Sequence, residues 1–352
     1  MLPNSMSGVV LNGHGGPECL QWRDDLPLPD VRDGDILVRV QAVGVNNTDI
    51  NTRTAWYSKG DAGEADAGWS GGALSFPRIQ GADVCGHVVA VGAGVDPTRV
   101  GQRVLIEPCL REANGCTLET PWYLGSECDG GFAEYTTVAS RHGYRIDSTL
   151  SDIELASFPC SYSTAENMLT RANVQATDSV MITGASGGVG SAAVQLAKIR
   201  GAHVIAVTSP AKSRELRDLG ADVTVDRDAD YIREVGVNSI DVVIDLVAGP
   251  KWPSLLELLS SGGRYAVAGA IGGPLVELDV RTLYLKDLSF FGCTVLEPEV
   301  FGRLVKYIED EQLQPLVAHT YPLSEIAAAQ SMFQSKTHIG KIVMSVAAPD
   351  RG

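Results

Sequence analysis

Seven residues restrict this chain more than any others: Gly184-Ala-Ser-Gly-Gly-Val-Gly190, set between the apolar run Val180-Met-Ile-Thr183 and the helix-forming run Ser191-Ala-Ala-Val-Gln-Leu-Ala-Lys198. Strand, glycine turn and helix in direct succession open a dinucleotide-binding βαβ unit. Gly187 lets the backbone approach a pyrophosphate, and Gly190 lets helix and strand pack closely. The helix N-terminus then aims amide donors and a positive dipole end at the phosphates. Ala185 stands where the usual first glycine would be. Ala185, Ser186, Gly187, Gly188, Val189 and Gly190 are therefore expected to touch the cofactor; the competing explanation is a merely tight strand-to-helix turn.

From residue 180 onward, short apolar runs alternate with amphipathic segments of helical length. The expected strands are Val180–Thr183, His203–Val207, Asp222–Val225, Val242–Asp245, Arg264–Ala268 and Leu288–Gly292. Such alternation argues for a doubly wound parallel Rossmann sheet with helices on both faces. The end of the second strand sets the cofactor. An acid about 20 positions past the glycine turn would grip the ribose 2′-hydroxyl of NAD. This chain instead has Ala206-Val-Thr-Ser209 followed by Lys212 and Arg214. The Thr208 and Ser209 hydroxyls with these cations suit a 2′-phosphate, so NADPH is expected; alternatively Lys212 and Arg214 sit on a solvated helix face. Arg227, after the third strand, would stack on adenine or reach the same phosphate.

The first 150 residues read as short strands between Gly, Pro and Asp clusters: Ser7–Leu11, Ile36–Val43, His87–Val91, Arg103–Glu107 and Phe132–Val138. Residues 58–75 have no usable periodicity and form a long loop. A helix, Leu323–Phe333, and a strand, Gly340–Ser345, end the chain and belong with the first part. At 352 residues the chain exceeds one core of ~250 to 300 residues, so two domains are expected. A net charge of −15 opposes nucleic acid and anionic lipid as partners. No uncharged apolar run approaches the ~18 residues of a membrane span, and the N-terminal residues lack a secretion signal. Seven scattered cysteines fit reduced thiols rather than a disulfide framework, so the cytoplasm is the expected compartment.

The combined pattern resembles the medium-chain dehydrogenase/reductase superfamily, most closely its zinc-free quinone oxidoreductase-like branch. The resemblance covers nearly the whole chain. It lies in Gly15-Gly-Pro-Glu18, Gly34-Asp-Ile-Leu-Val-Arg-Val40, Gly44-Val-Asn-Asn-Thr-Asp49, Gly81-Ala-Asp-Val-Cys-Gly86, Asp129-Gly-Gly-Phe-Ala-Glu-Tyr135, Gly184 to Gly190, Gly262-Gly-Arg-Tyr265 and Gly340-Lys-Ile-Val343. It implies an α/β fold in which a Rossmann domain (161–298) is inserted into a GroES-like β-rich catalytic domain (1–160 and 299–352), with the cofactor between them. Zinc-dependent relatives carry Cys where this chain has Asn46 and His-Glu where it has Ala82-Asp83; their second Cys ligand falls at Cys160. Asp83 and Cys160 are too few for catalytic zinc, which wants three protein ligands. Cys109, Cys116 and Cys128 cannot make the four-cysteine structural lobe. No metal is expected.

The resemblance further implies that Asn46 to Tyr57 lines the nicotinamide end, with Asn46 a polar contact, Asp49 an orienting group and Tyr57 a donor to substrate. A plainer alternative makes Trp56 and Tyr57 an aromatic wall. It also implies cofactor contacts from Thr164, Leu246, Val247, Gly269, Ala270, Ile271, Cys293 and Thr294, and a homodimer. Without a Lewis acid, reduction relies on positioned donors, which favours conjugated acceptors. The expected activity is NADPH-dependent reduction of a small-molecule quinone or α,β-unsaturated carbonyl. The alternatives are an alcohol or aldehyde dehydrogenase with a degraded zinc site, and a non-catalytic NADPH-binding protein.

Overall fold

The computed structural model describes residues 2–60 and 67–346. The chain forms two compact units, Met1–Cys160 with Pro315–Gly352, and Ser161–Gln314. The return to the first unit lies at Pro315 rather than at 299. Helix Val300–Glu309 stays in the second unit because it buries Val300, Phe301, Leu304 and Ile308 there, and because Arg303 Nε pairs with fully buried Glu166 at 3.1 Å.

In the first unit, Asp35–Gly44 is the central strand of a seven-stranded sheet. The strands run in the order Val317–Pro322, Lys341–Ser345, Asp35–Gly44, Asp83–Val91, Arg103–Ile106 and Gly143–Arg145, with Tyr135–Ala139 also pairing Asp35–Gly44. Ile36, Val38, Val40, Val84, Val104, Phe132 and Ile342 bury their side chains in one core. The chain ends therefore meet in one sheet: Val343 pairs with Gly44, which sets Lys341 close to Val45 and Asn46.

Several strands here escape the alternation rule. Leu20–Leu26, Gly143–Arg145, Val317–Pro322 and the hairpin Cys109–Ala113/Cys116–Tyr123 all carry polar or exposed residues on both faces. The hairpin is closed by Asn114 and Gly115, both at positive φ, the pairing whose twist matches that of the flanking strands. The strand expected from Phe132 begins at Tyr135. The helix expected from Leu323 starts as one 3₁₀ turn and runs as α-helix over Ile326–Ser335.

The second unit holds six parallel strands in the order Val223–Asp226, His203–Thr208, Ser179–Ile182, Ile240–Asp245, Leu259–Val267 and Ser289–Gly292. Val180, Met181, Ile182, Val242, Val243 and Ile244 are all fully buried, as unbroken apolar runs must be when helices cover both sheet faces. The strand order reverses between Ser179–Ile182 and Ile240–Asp245. Ligands of such sheets bind at the carboxyl ends beside that reversal. Among the described residues, no helix is long and apolar enough to cross a membrane.

Candidate functional site

In the second unit the glycine turn lies at the reversal point. Gly184, with φ +59°, takes the left-handed conformation, so a residue at the Ala185 position need not be glycine. Ala185 is fully buried and its N–H donates to Val207 O at 3.1 Å, tying the turn to the second strand. A Cβ on Gly190 would lie 2.3 Å from Gly184 O, so even alanine there would force helix and turn apart. Gly187 precedes helix Gly188–Ile199 without a side-chain cap. The first helical N–H groups are thus left for a ligand's phosphates. Ser186, Gly187, Gly188 and Val189 retain solvent access around this N-terminus.

At the end of the second strand, Thr208 Oγ1 is buried yet has no hydrogen-bond partner among the described residues. A buried hydroxyl in that state costs free energy until something bonds it. Ser209 next to it is half-buried. Lys212 has its pKa lowered, first by burial and then by the charge of Arg227, so these two cations converge on the same corner. Arg214 does not join them. Its side chain is 93% exposed and pairs with Asp218 along the helix Ser213–Asp218.

Asp245 escaped the sequence reading. It is fully buried at the end of the fourth strand and accepts from Thr183 Oγ1 at 2.5 Å, Tyr265 OH at 2.6 Å, Val247 N at 2.9 Å and Ala248 N at 3.1 Å. Thr183 Oγ1 in turn accepts from Leu246 N at 2.9 Å. This network fixes Leu246 and Val247 beside Gly184, whose Cβ position is 3.2 Å from Val247 Cγ2. Gly269 and Ala270 follow the fifth strand and are half-buried, while Ile271 is exposed. Cys293 turns inward, its thiol donating to Phe291 O, and leaves Thr294 as the exposed residue of that pair. Thr164 is half-buried on helix Pro159–Arg171.

The first unit contains a second polar cluster, buried at the start of helix Asn47–Arg53. Asn46 N–H donates to Asp49 Oδ2 at 2.7 Å. The Asn46 side chain donates to Asp83 Oδ2 at 2.8 Å and accepts from Lys341 Nζ at 2.5 Å. Lys341, 2% exposed, also reaches Asp83 Oδ2 at 2.7 Å and Val45 O at 2.9 Å. Cys160 N–H donates to Asp83 Oδ1 at 2.5 Å, and Tyr123 OH donates to Cys160 Sγ at 2.9 Å. Burial pushes the Asp49 carboxyl up to about 7 against the pull of the Asn46 N–H and Lys341. Burial, helped by Asp83, pushes the Cys160 thiol up to about 12.

Tyr57 donates to Thr48 Oγ1 at 3.3 Å and its ring meets Trp56 edge to face at 5.7 Å. Burial raises the phenol's pKa, so it stays protonated and able to donate. Of the expected loop 58–75, residues 61–66 lie outside the described residues.

Two family profiles match this chain. One is described as an alcohol dehydrogenase GroES-like domain and covers residues 32–148; the other, described as a zinc-binding dehydrogenase, covers 188–310. A solved structure from Sinorhizobium meliloti 1021, described as a candidate alcohol dehydrogenase, is 43% identical, spans 98% of this chain and 97% of its own, and superposes with a TM-score of 0.89. Human quinone oxidoreductase is 28% identical over 96% of this chain and 97% of its own length. The NAD-dependent alcohol dehydrogenase of Sulfolobus acidocaldarius is 29% identical over 97% and 100%.

The chain belongs to the medium-chain dehydrogenase/reductase superfamily. As a member it is a nicotinamide-dependent oxidoreductase with a GroES-like and a Rossmann-like domain. The superfamily's zinc positions can be tested against the side chains present. Asn46 is an amide already bonded to a carboxylate and an ammonium, and Ala82 has no donor atom, which leaves Asp83 and Cys160. Lys341 already neutralises Asp83. Among the described residues, no three His, Cys, Asp or Glu side chains are grouped to hold a metal ion. Catalytic zinc needs three such ligands. Zinc does not fit these residues.

Proposed function

We propose that this protein is an NADPH-dependent reductase that delivers hydride to a quinone or an α,β-unsaturated carbonyl without using a metal. Lys341 carries this reading: its ammonium is bonded to Asn46 and Asp83, the positions at which zinc-dependent relatives gather their ligands. A fixed cation whose N–H groups bond Val45 O, Asn46 and Asp83 supports the protein's own carboxylate rather than a substrate oxygen. A simple alkoxide would therefore lack a Lewis acid. The delocalised anion from a conjugated acceptor needs less stabilisation, and a neutral phenol can supply it.

NADPH, when bound, supplies the hydride. Ser186 to Gly190 would hold its pyrophosphate by backbone N–H groups at the helix start. Thr208, Ser209, Lys212 and Arg227 would hold the 2′-phosphate, and the orphaned Thr208 hydroxyl supports that assignment. Thr164, Leu246, Val247, Gly269, Ala270, Ile271, Cys293 and Thr294 would line the remainder. Tyr57 donates to the acceptor oxygen. Asp49 fixes Asn46 and through it the Lys341–Asp83 pair.

A screen of quinones, enones and aldehydes by loss of NADPH absorbance tests this function, with metal content and chelator sensitivity measured on the same sample. Turnover of quinones or enones unaffected by chelator is expected. Stoichiometric zinc with chelator-sensitive alcohol oxidation would establish the second reading, which the relatives named alcohol dehydrogenases favour. NADPH binding without turnover of any acceptor would leave a binding protein.

We also infer a homodimer through the outer strand Ser289–Gly292, which ends the sheet order. Val280, Tyr284 and Leu285, in the helix Val280–Leu285 that precedes it in the chain, are exposed, as is Leu275 at 91%. Such an unpaired edge with exposed aliphatics invites pairing with another chain. Leu275→Glu with Leu285→Glu should yield a monomer by sedimentation velocity; a wild-type protein that sediments as a monomer rejects the inference.

A further inference from the structure

We propose that Trp69 and Tyr123 form a ring-selective wall of the acceptor site, held together by Glu127, so that the acceptor is a planar ring rather than an open-chain enone. The nature of the reaction rests on the reductase reading above; the binding of a ring does not. The two aromatic planes lie 4.8 Å apart between centroids, tilted by 30°, within the range of offset stacking. The Tyr123 hydroxyl reaches Cys160 Sγ at 2.9 Å, and Cys160 N–H reaches Asp83. The aromatic pair thus continues outward from the Asn46–Asp83–Lys341 cluster. Tyr57 belongs to the same neighbourhood, since Cys160 lies close enough to it for their ionised forms to repel.

Trp69 is only half-buried, so packing alone does not fix it. Polar tethers do. Trp69 N–H donates to Ser126 Oγ at 3.1 Å, and Ser70 N–H to Glu127 Oε1 at 2.8 Å. The other carboxylate oxygen, Oε2, accepts from Tyr123 N–H at 2.9 Å, and Ser126 OH donates to Oε1 at 3.3 Å. One carboxylate therefore fastens the Trp69 segment and the Tyr123 strand in register. Gly68 N–H donates to Gly72 O at 2.7 Å and closes the turn that carries Trp69. A large flat surface pre-set in this way loses little freedom when a second ring stacks on it, which is the condition for shape selection.

The test compares 1,4-naphthoquinone with an open-chain enone of similar reactivity, for wild type, Trp69→Ala, Trp69→Phe and Glu127→Ala. In Trp69→Ala the ratio of kcat/KM for ring over open-chain acceptor should fall about tenfold, mainly through KM. Trp69→Phe should retain most of the ratio. Glu127→Ala, which unties the indole without removing it, should lose part of it. NADPH affinity, read by fluorescence, reports that each variant is folded. Calorimetric titration with 2-naphthol, which undergoes no turnover, should show binding weakened about tenfold in Trp69→Ala. Equal loss for both acceptor classes, or unchanged naphthol binding, overturns the wall. A wild type that reduces enones but does not bind naphthol overturns the wall and keeps the reductase. Naphthol binding that depends on Trp69, in a protein that reduces nothing, supports the wall and removes the reductase.

Discussion

Replacing Lys341 by Met removes a cation that is 2% exposed and holds Asp83 Oδ2, Asn46 Oδ1 and Val45 O at 2.7, 2.5 and 2.9 Å. Asp83, fully buried, would keep only Asn46 Nδ2 and Cys160 N–H as donors. A buried charge stripped of its partner costs about 3–5 kcal/mol. Removing the charge as well, in Lys341→Met with Asp83→Asn, replaces the ion pair with neutral groups, and such replacements are often close to neutral. The double variant should therefore be more stable than Lys341→Met alone, with a coupling energy of about 2–3 kcal/mol. Urea unfolding followed by both circular dichroism and tryptophan fluorescence measures this and reveals whether the two units unfold together. Added zinc should not rescue Lys341→Met, because Ala82 and Asn46 offer it no ligand. The reasoning is refuted if Lys341→Met costs under ~1 kcal/mol on the scale of an ordinary surface change, or if the two substitutions simply add.

Three other outcomes follow from the two sites. Lys212→Ala with Arg227→Ala should weaken NADPH by about 100-fold, the loss of two charge-assisted contacts of ~1.5 kcal/mol each, and NADH by no more than about threefold; equal losses would remove the 2′-phosphate assignment. Tyr57→Phe should lower kcat on conjugated acceptors by 10- to 100-fold at unchanged NADPH affinity, within the range of a single positioned donor, whereas full activity would reduce Tyr57 to a wall. Asp49 has a folded pKa of about 7 against an ordinary 3.8, so the folded state holds the extra proton and stability falls as pH rises from about 4 to 7. Asp49→Asn should remove that loss, a few kcal/mol between about pH 4 and 7, and parallel curves for wild type and variant would sink the claim.

The Rossmann unit was legible because its signals are local. Val180 to Thr183, the glycines and the Ser191 to Lys198 run are contiguous, and continuous apolar strands are what a sheet covered on both faces requires. Strand edges still moved by a residue or two, as at Val223–Asp226 against the expected Asp222–Val225, because hydrogen bonding and apolarity do not end together. In the first unit, the hairpin at Asn114-Gly115 had a usable turn signal, but its strands, CLREA and CTLETPWY, lack clean alternation. Helix Val300–Glu309 was assigned to the wrong unit because an amphipathic face shows that a helix packs, not against what. Asp245 gave a signal that was readable and missed: an acid ending an otherwise apolar strand must be bonded by something, and Thr183, just past one neighbouring strand, and Tyr265, within the other, both carry hydroxyls.

Lys341 was the least legible of the important residues. It sits 295 positions from Asn46 in the chain, in a Gly-Lys-Ile-Val segment that carries no chemistry by itself. Only the antiparallel pairing of Lys341–Ser345 with Asp35–Gly44 brings its ammonium to Asp83. Missing metal ligands can be counted in a sequence, but a count cannot tell a site that has decayed from one that has been rebuilt. A decayed site would leave Asp83 as an uncompensated buried carboxylate, and burial at that cost does not persist. Here the carboxylate is paired, the amide at Asn46 bridges it to the lysine, and the Cys160 sulfur, kept protonated by burial, accepts from Tyr123 OH. Each position at which zinc-dependent relatives carry a ligand thus has a partner suited to a neutral or paired state, as the proposed metal-free reading requires.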